Sequence, residues 1–179
     1  FSDGKYNITN EFGGTLYEYI GKQKAIELME YVDGINVSYG GYKTKLYSTA
    51  NTQFKRLCLQ NNLHLLDASV RHLGTDINFE VLENLYNELK EKIEFHFMTP
   101  VRSIKILDGG YEAVTDNASF TGERCIISVG RSGSKWMEKV CDELHIPTLS
   151  NRVDIGVRVE LPAEIFAPVT DELYESKIV

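Results

Sequence analysis

A chain of 179 residues that is 42% hydrophobic has enough apolar material to bury a core, and its composition is not that of a disordered protein. Its 26 acidic against 19 basic residues leave a net charge of -7, which excludes a broad nucleic-acid or anionic-membrane surface, because both need clustered Lys and Arg. No apolar run is long enough to cross a bilayer, so the expectation is a cytoplasmic protein that binds neither nucleic acid nor membrane.

In chain order, the first regular element is a helix over Gln23–Val32, where Ala25, Leu28, Met29 and Val32 fall at i, i+3, i+4 and i+7 and Gly34 supplies a stop. Gly40–Thr52 lacks periodicity and reads as turns or short extended pieces before a short helix near Gln53–Gln60. Leu63, Leu65 and Leu66 suggest a brief strand ended by a polar turn over Arg71–Asp76. Asp76 or Asn78 then caps a long helix in which Phe79, Leu82, Tyr86, Leu89 and Ile93 repeat on one face. Glu94–Met98 reads as a strand. Pro100 opens another, with Val101, Ile104 and Ile106 directed inward. Asp108-Gly109-Gly110 turns it back through Tyr111–Thr115, and Ser119-Phe120-Thr121 completes a β-meander.

The meander leads into Cys125–Val129, an apolar run suited to a strand buried on both faces. Beyond the glycine turn that follows, Trp136, Met137, Val140, Cys141 and Leu144 make the inner stripe of a helix ending near His145, ahead of Pro147. Val153, Ile155, Val157 and Val159 alternate with Asp154, Gly156, Arg158 and Glu160, as in a half-buried strand stopped by Pro162.

Cys58, Cys125 and Cys141 are odd in number and form no Cys-x-x-Cys pair, so they read as buried structural thiols in a reducing compartment. The sequons at Asn7, Asn36 and Asn117 then carry no weight. His64, His72, His96 and His145 lack metal-ligand spacing, and no protein-bound metal is expected. No carboxylate pair, Ser-His-Asp set or Cys-His arrangement stands out as catalytic. The informative stretch is Glu123–Trp136, read as strand, glycine turn and helix start. Glycines let the backbone approach a ligand closely, and the N–H groups of a helix start favour anions. By shape alone the same stretch is equally a tight strand-to-helix crossover. Asp3 and Lys5 are equally surface turn residues, and Arg158 with Glu160 an exposed ion pair. No Gly-x-Gly-x-x-Gly occurs and the chain begins at Phe1. The expectation is a segment of a larger protein whose main nucleotide-binding βαβ unit lies upstream and which continues past Val179.

In that order, Phe1-Ser2-Asp3-Gly4-Lys5, His72-Leu73-Gly74-Thr75-Asp76, Val129-Gly130-Arg131-Ser132-Gly133 and Gly156-Val157-Arg158-Val159-Glu160 resemble the uncharacterised FAD-dependent dehydrogenases of bacteria. Lys5-Tyr6-Asn7-Ile8-Thr9-Asn10 is similar to the Asn-x-Thr-Asn stretch of another group of uncharacterised bacterial flavoproteins. The resemblance implies an α/β (or α+β) fold: a partial FAD-binding Rossmann-like domain with a β-meander, lacking its first βαβ unit and carrying a helical insertion with short strands. Residues 1–22 and 97–152 would be the FAD-domain segments, 23–96 the insertion and 153–179 the start of a second domain. The resemblance places Ser2, Asp3, Gly4 and Lys5 along the pyrophosphate and ribityl chain of FAD, and Val101 near the adenine. Val129, Gly130, Arg131, Ser132 and Gly133 would flank the pyrophosphate and its ribose.

Two departures bear on substrate more than on fold: Ser128-Val129 stands where the family has Ala-Thr, and Leu161 where it has His. The implied function is a flavin-dependent oxidoreductase with FAD as cofactor and NAD(P)H as the electron partner to be weighed. This segment alone would be inactive without the principal phosphate loop, and apolar surface left bare would favour self-association. The other classes are a non-enzymatic ligand-binding or interaction module on the same scaffold, and an enzyme holding NAD or an adenosyl cofactor at the same turn.

Overall fold

The computed structural model describes residues 2–150, 153 and 155–179. Among them the chain mixes helices with two three-stranded sheets, and every paired strand is antiparallel. It divides into two compact units, Phe1–Glu94 with Val159–Val179, and Phe95–Arg158. Residues 1–22 therefore lie in the unit that holds 23–94, apart from 97–152, and the break expected after residue 96 falls after Glu94.

In the first unit, β1 (Lys5–Ile8), β2 (Leu46–Ser48) and β3 (Ser69–His72) form a sheet in the order β1-β3-β2. Lys5 is paired with His72, and Leu46 with Arg71. Arg71 and His72, expected in a polar turn, thus end the central strand. A guanidinium can occupy this buried position because each of its three nitrogens has a partner. Its Nε and Nη2 donate to the two Asp33 carboxylate oxygens at 2.6 and 2.9 Å, and its Nη1 to the Thr44 carbonyl at 2.7 Å. The strand expected at Leu63–Leu66 is only a bridge between Leu65 and Ile178.

A short helix α1 (Leu16–Ile20) precedes α2 (Lys22–Ser38), which runs straight through Gly34. An interior glycine costs a helix only about 1 kcal/mol, too little to end a packed one. The buried side of α2 is Ala25, Asp33 and Asn36, whereas Leu28 and Val32 are largely exposed. The bond from Asp33 to Arg71 turns the helix away from its apolar periodicity.

Thr52 Oγ1 accepts from the Phe54 N–H at 3.2 Å and caps α3 (Gln53–Gln60). Asn62, at φ 58°, closes that helix as the Leu63 N–H reaches the Cys58 carbonyl at 2.8 Å. Leu73 begins α4 (Gly74–Leu89), so neither Asp76 nor Asn78 is its cap. Asp76 lies in the first turn, where a carboxylate suits the helix dipole, and Asn78 is buried. The inner face is Asn78 and Val81, and the stripe Phe79, Leu82, Tyr86, Leu89 and Ile93 is exposed. Pro162 precedes α6 (Ala163–Leu173), whose Leu173 closes a buried cluster with Cys58 and Leu65.

In the second unit, residues 94–98 form no strand, and Met98 sits in a left-handed turn at φ 52°. The meander is as the turn residues predict: β4 (Ser103–Leu107), β5 (Gly110–Val114) and β6 (Ser119–Gly122), with Gly109 at φ 87°. Ile104 is buried but Ile106 is exposed. The helix α5 (Ser134–Glu143) buries Val140 and Cys141 on the predicted stripe. It ends as predicted, because the Ile146 N–H reaches the Cys141 carbonyl at 2.8 Å with His145 at φ 56°.

Two expected strands are not formed. Over Cys125–Val129 no strand pairs with the backbone, Cys125 is exposed and Ile126 is 93% exposed, so the two-faced burial read from its composition is not realised. A strand of that kind needs hydrogen-bonded neighbours on both edges, and the meander pairs only with itself. Val153, Ile155, Val157 and Val159 are likewise exposed and outside any strand, and Asp154 lies outside the described residues. No described helix is long and apolar enough to cross a membrane.

Candidate functional site

The glycine turn of the second unit joins the apolar run 125–129 to α5. Gly130 adopts φ 65° and ψ -166°, a conformation that L side chains rarely adopt, and nothing lies within 4 Å of where its Cβ would stand. Arg131–Gly133 form one 3-10 turn, after which Gly133 leads into α5. A Cβ on Gly133 would meet Val129 Cβ at 2.5 Å, so this glycine is required by packing of the turn on itself. Gly130 is thus the glycine whose side-chain space stays open to a ligand. Arg131 and Ser132 are exposed on the same turn.

Behind the turn lies a cavity of about 350 Å³ whose walls include Val101, Ile104, Ala113, Ile127, Val129 and Trp136. Val101 and Val129, far apart in sequence, therefore face one space. The Trp136 indole N–H is buried without a hydrogen-bond partner, which leaves one donor for which the chain offers no acceptor. On the other side of the same backbone, Ser128, Val129 and Gly130 border a wider depression with Met137, Cys141 and Leu149.

Ser2, Asp3, Gly4 and Lys5 belong to the first unit, where they form the entry to β1. Gly4 has φ 70°, and a Cβ there would stand 2.7 Å from Asn78 Cβ and 2.9 Å from Leu73 Cβ. The Gly4 N–H donates to Ser2 Oγ at 3.1 Å, and the Gly4 carbonyl accepts from the Leu73 N–H at 2.9 Å. Asn78 ties the arrangement together: its Nδ2 donates to the Ser2 carbonyl at 3.1 Å and its Oδ1 accepts from the Tyr6 hydroxyl at 3.0 Å. Burial pushes the Tyr6 phenol above its ordinary value. Lys5 Nζ is paired with Glu175 at 2.7 Å. Much of the polarity that the resemblance assigns to phosphate is thus used within the unit.

No protein-family model, no curated protein and no solved structure matches the chain. The assignment of a ligand accordingly stands on residues and geometry. Tested against FAD, the second unit offers an apolar slot with an aromatic wall and, beside it, a glycine with open side-chain space. Among the described residues no group of three His, Cys, Asp or Glu side chains is disposed to hold a metal ion.

Sequence reasoning passed over Trp136 as a polar group, because its place on an apolar helix stripe hides the indole N–H. It named Asn78 only as a helix cap, whereas its amide bonds Ser2 and Tyr6, residues distant in the chain.

Proposed function

We propose that this chain is part of a flavin-dependent oxidoreductase, with the second unit forming the adenosine-side half of an FAD site in a Rossmann-like arrangement. The observation that carries the reading is the shared cavity: Val101 and the Val129–Gly133 turn, each assigned to the cofactor by the resemblance, border the same slot or open beside it. Trp136 supports it by adding an aromatic wall to that slot. In this reading FAD supplies hydride chemistry, and the residues here bind and orient its adenosine end. The second unit contributes the slot and the N–H groups at the start of α5.

The experiment is a titration of the 179-residue protein with FAD, read by the fluorescence of its single tryptophan, Trp136. A half-site worth roughly 4 kcal/mol gives a Kd of about 1 mM, so no flavin is expected to survive desalting. The expected result is saturable quenching that ADP reverses and riboflavin does not. Quenching that stays linear in FAD and indifferent to ADP would sink the reading.

A further inference from the structure

The first unit contains a backbone outlier that none of the foregoing uses. Tyr174, directly after α6, has φ 57° and ψ -58°, and the Glu175 N–H donates to the Leu173 carbonyl at 2.6 Å. This is a γ-turn of the rare, strained hand, built on a large aromatic residue. Such strain persists only where the surroundings over-determine it. They do so here. Glu175 is held by Lys5, and the Tyr174 ring lies 5.0 Å from that of Tyr47 and 5.0 Å, edge-on, from that of His72.

The turn delivers the Tyr174 hydroxyl to His72 Nδ1, with which it is hydrogen-bonded. The other imidazole nitrogen, Nε2, is buried without a hydrogen-bond partner and faces the Asp3 carboxylate at 4.0 Å. A carboxylate at that side favours the tautomer with hydrogen on Nε2, and Nδ1 is then the acceptor of the tyrosine proton. The order is hydroxyl, imidazole, carboxylate: a nucleophile or acid–base group, its base, and a negative charge 4.0 Å from the far nitrogen of that base. Lys5, the strand partner of His72, is paired with Glu175, and Lys45 Nζ lies over the Tyr47 ring that packs on Tyr174.

We propose that Asp3, His72 and Tyr174 form an acid–base site in which His72 activates the Tyr174 hydroxyl toward enols. The enol O–H bond breaks and its proton passes to Tyr174 Oη, while the Tyr174 proton passes to His72 Nδ1. The imidazolium so formed lies 4.0 Å from the Asp3 carboxylate, and the site is restored when the Tyr174 hydroxyl protonates the enolate carbon and the imidazolium proton returns to Tyr174 Oη, leaving the ketone. No electrons change hands in this step, and it stands whether or not the second unit binds FAD. Tyr174 is 39% exposed, enough to be reached from solvent.

The test is labelling of the intact 179-residue protein with a limiting amount of an arylsulfonyl fluoride, which reacts with activated phenols, followed by peptide mass spectrometry. Exposure alone ranks Tyr19 (83%) and Tyr42 (69%) ahead of Tyr174. Activation reverses the order: Tyr174 is expected to react about tenfold faster than Tyr19. His72→Gln is expected to return Tyr174 to a rate at or below that of Tyr19, and Asp3→Asn to slow it several-fold, both with unchanged circular dichroism. The ranking in the unsubstituted protein needs no variant to fold. Tyr174 trailing Tyr19 there, or reacting undiminished in a folded His72→Gln protein, overturns the proposal.

Discussion

Replacing Gly4 by alanine separates a glycine kept for packing from one kept for a ligand. At φ 70° an L residue costs roughly 1–2 kcal/mol in backbone energy. Its methyl group would also stand 2.7 Å from Asn78 Cβ and 2.9 Å from Leu73 Cβ, and overpacking of that kind adds about 1–3 kcal/mol. Neither neighbour moves freely: Asn78 is bonded to Ser2 and Tyr6, and Leu73 to Gly4 itself. The expected loss is therefore about 2–5 kcal/mol, a large part of the 5–15 kcal/mol typical of a domain. With a urea m-value of about 2 kcal/mol/M, a loss of about 3 kcal/mol moves the unfolding midpoint down by about 1.5 M. Far-UV circular dichroism measures it, and Trp136 fluorescence reports the second unit in the same samples. Gly130→Ala is the control: nothing lies within 4 Å of its Cβ position, so only the backbone cost of its φ 65°, ψ -166° conformation applies, about 1–3 kcal/mol. A Gly4→Ala midpoint within about 0.5 M of the parent would refute the packing argument.

Breaking the buried pair by Asp33→Ala is expected to cost about 3–5 kcal/mol, because it strands the Arg71 guanidinium, and Asp33→Leu with Arg71→Met is expected to recover much of that in urea unfolding. At the surface, the hydrogen bond from Arg102 holds the Asp116 carboxyl below its ordinary 3.8. Its folded value being depressed, the small stabilisation it contributes is present above about pH 3.8 and is lost as pH falls through the lower folded value. Carboxyl carbon NMR should show the Asp116 midpoint returning toward 3.8 in Arg102→Gln, and an unmoved midpoint would remove Arg102 as the cause.

Two elements were legible from short-range rules. The meander follows from Asp108-Gly109-Gly110, and α5 from the spacing of Trp136, Met137, Val140 and Cys141 with a helix end at His145. What sequence could not yield was set by partners distant in the chain. α2 turns Asp33 inward because Arg71 is there, and α4 turns Asn78 inward because Ser2 and Tyr6 need its amide. In both helices a polar bond moves the inner face off the apolar stripe. The runs Cys125–Val129 and Val153–Val159 have strand composition without strand pairing, since hydrogen bonding along an edge depends on a neighbour that composition does not name. Val101 and Val129, which the resemblance assigns to one cofactor, border one cavity. The Tyr174 turn left no local signature.

The cluster of Cys58, Leu65 and Leu173 bears on how the protein is made. The first unit draws on both ends of the chain, with residues 95–158 spliced between its two parts. During synthesis its core therefore waits for Leu173, and the Leu65 to Ile178 bridge forms after that. The meander and α5 have all their own residues earlier. The expected order at the ribosome is thus inverted relative to the sequence of these two units, with the second unit folding first and residues 1–94 held open until α6 arrives.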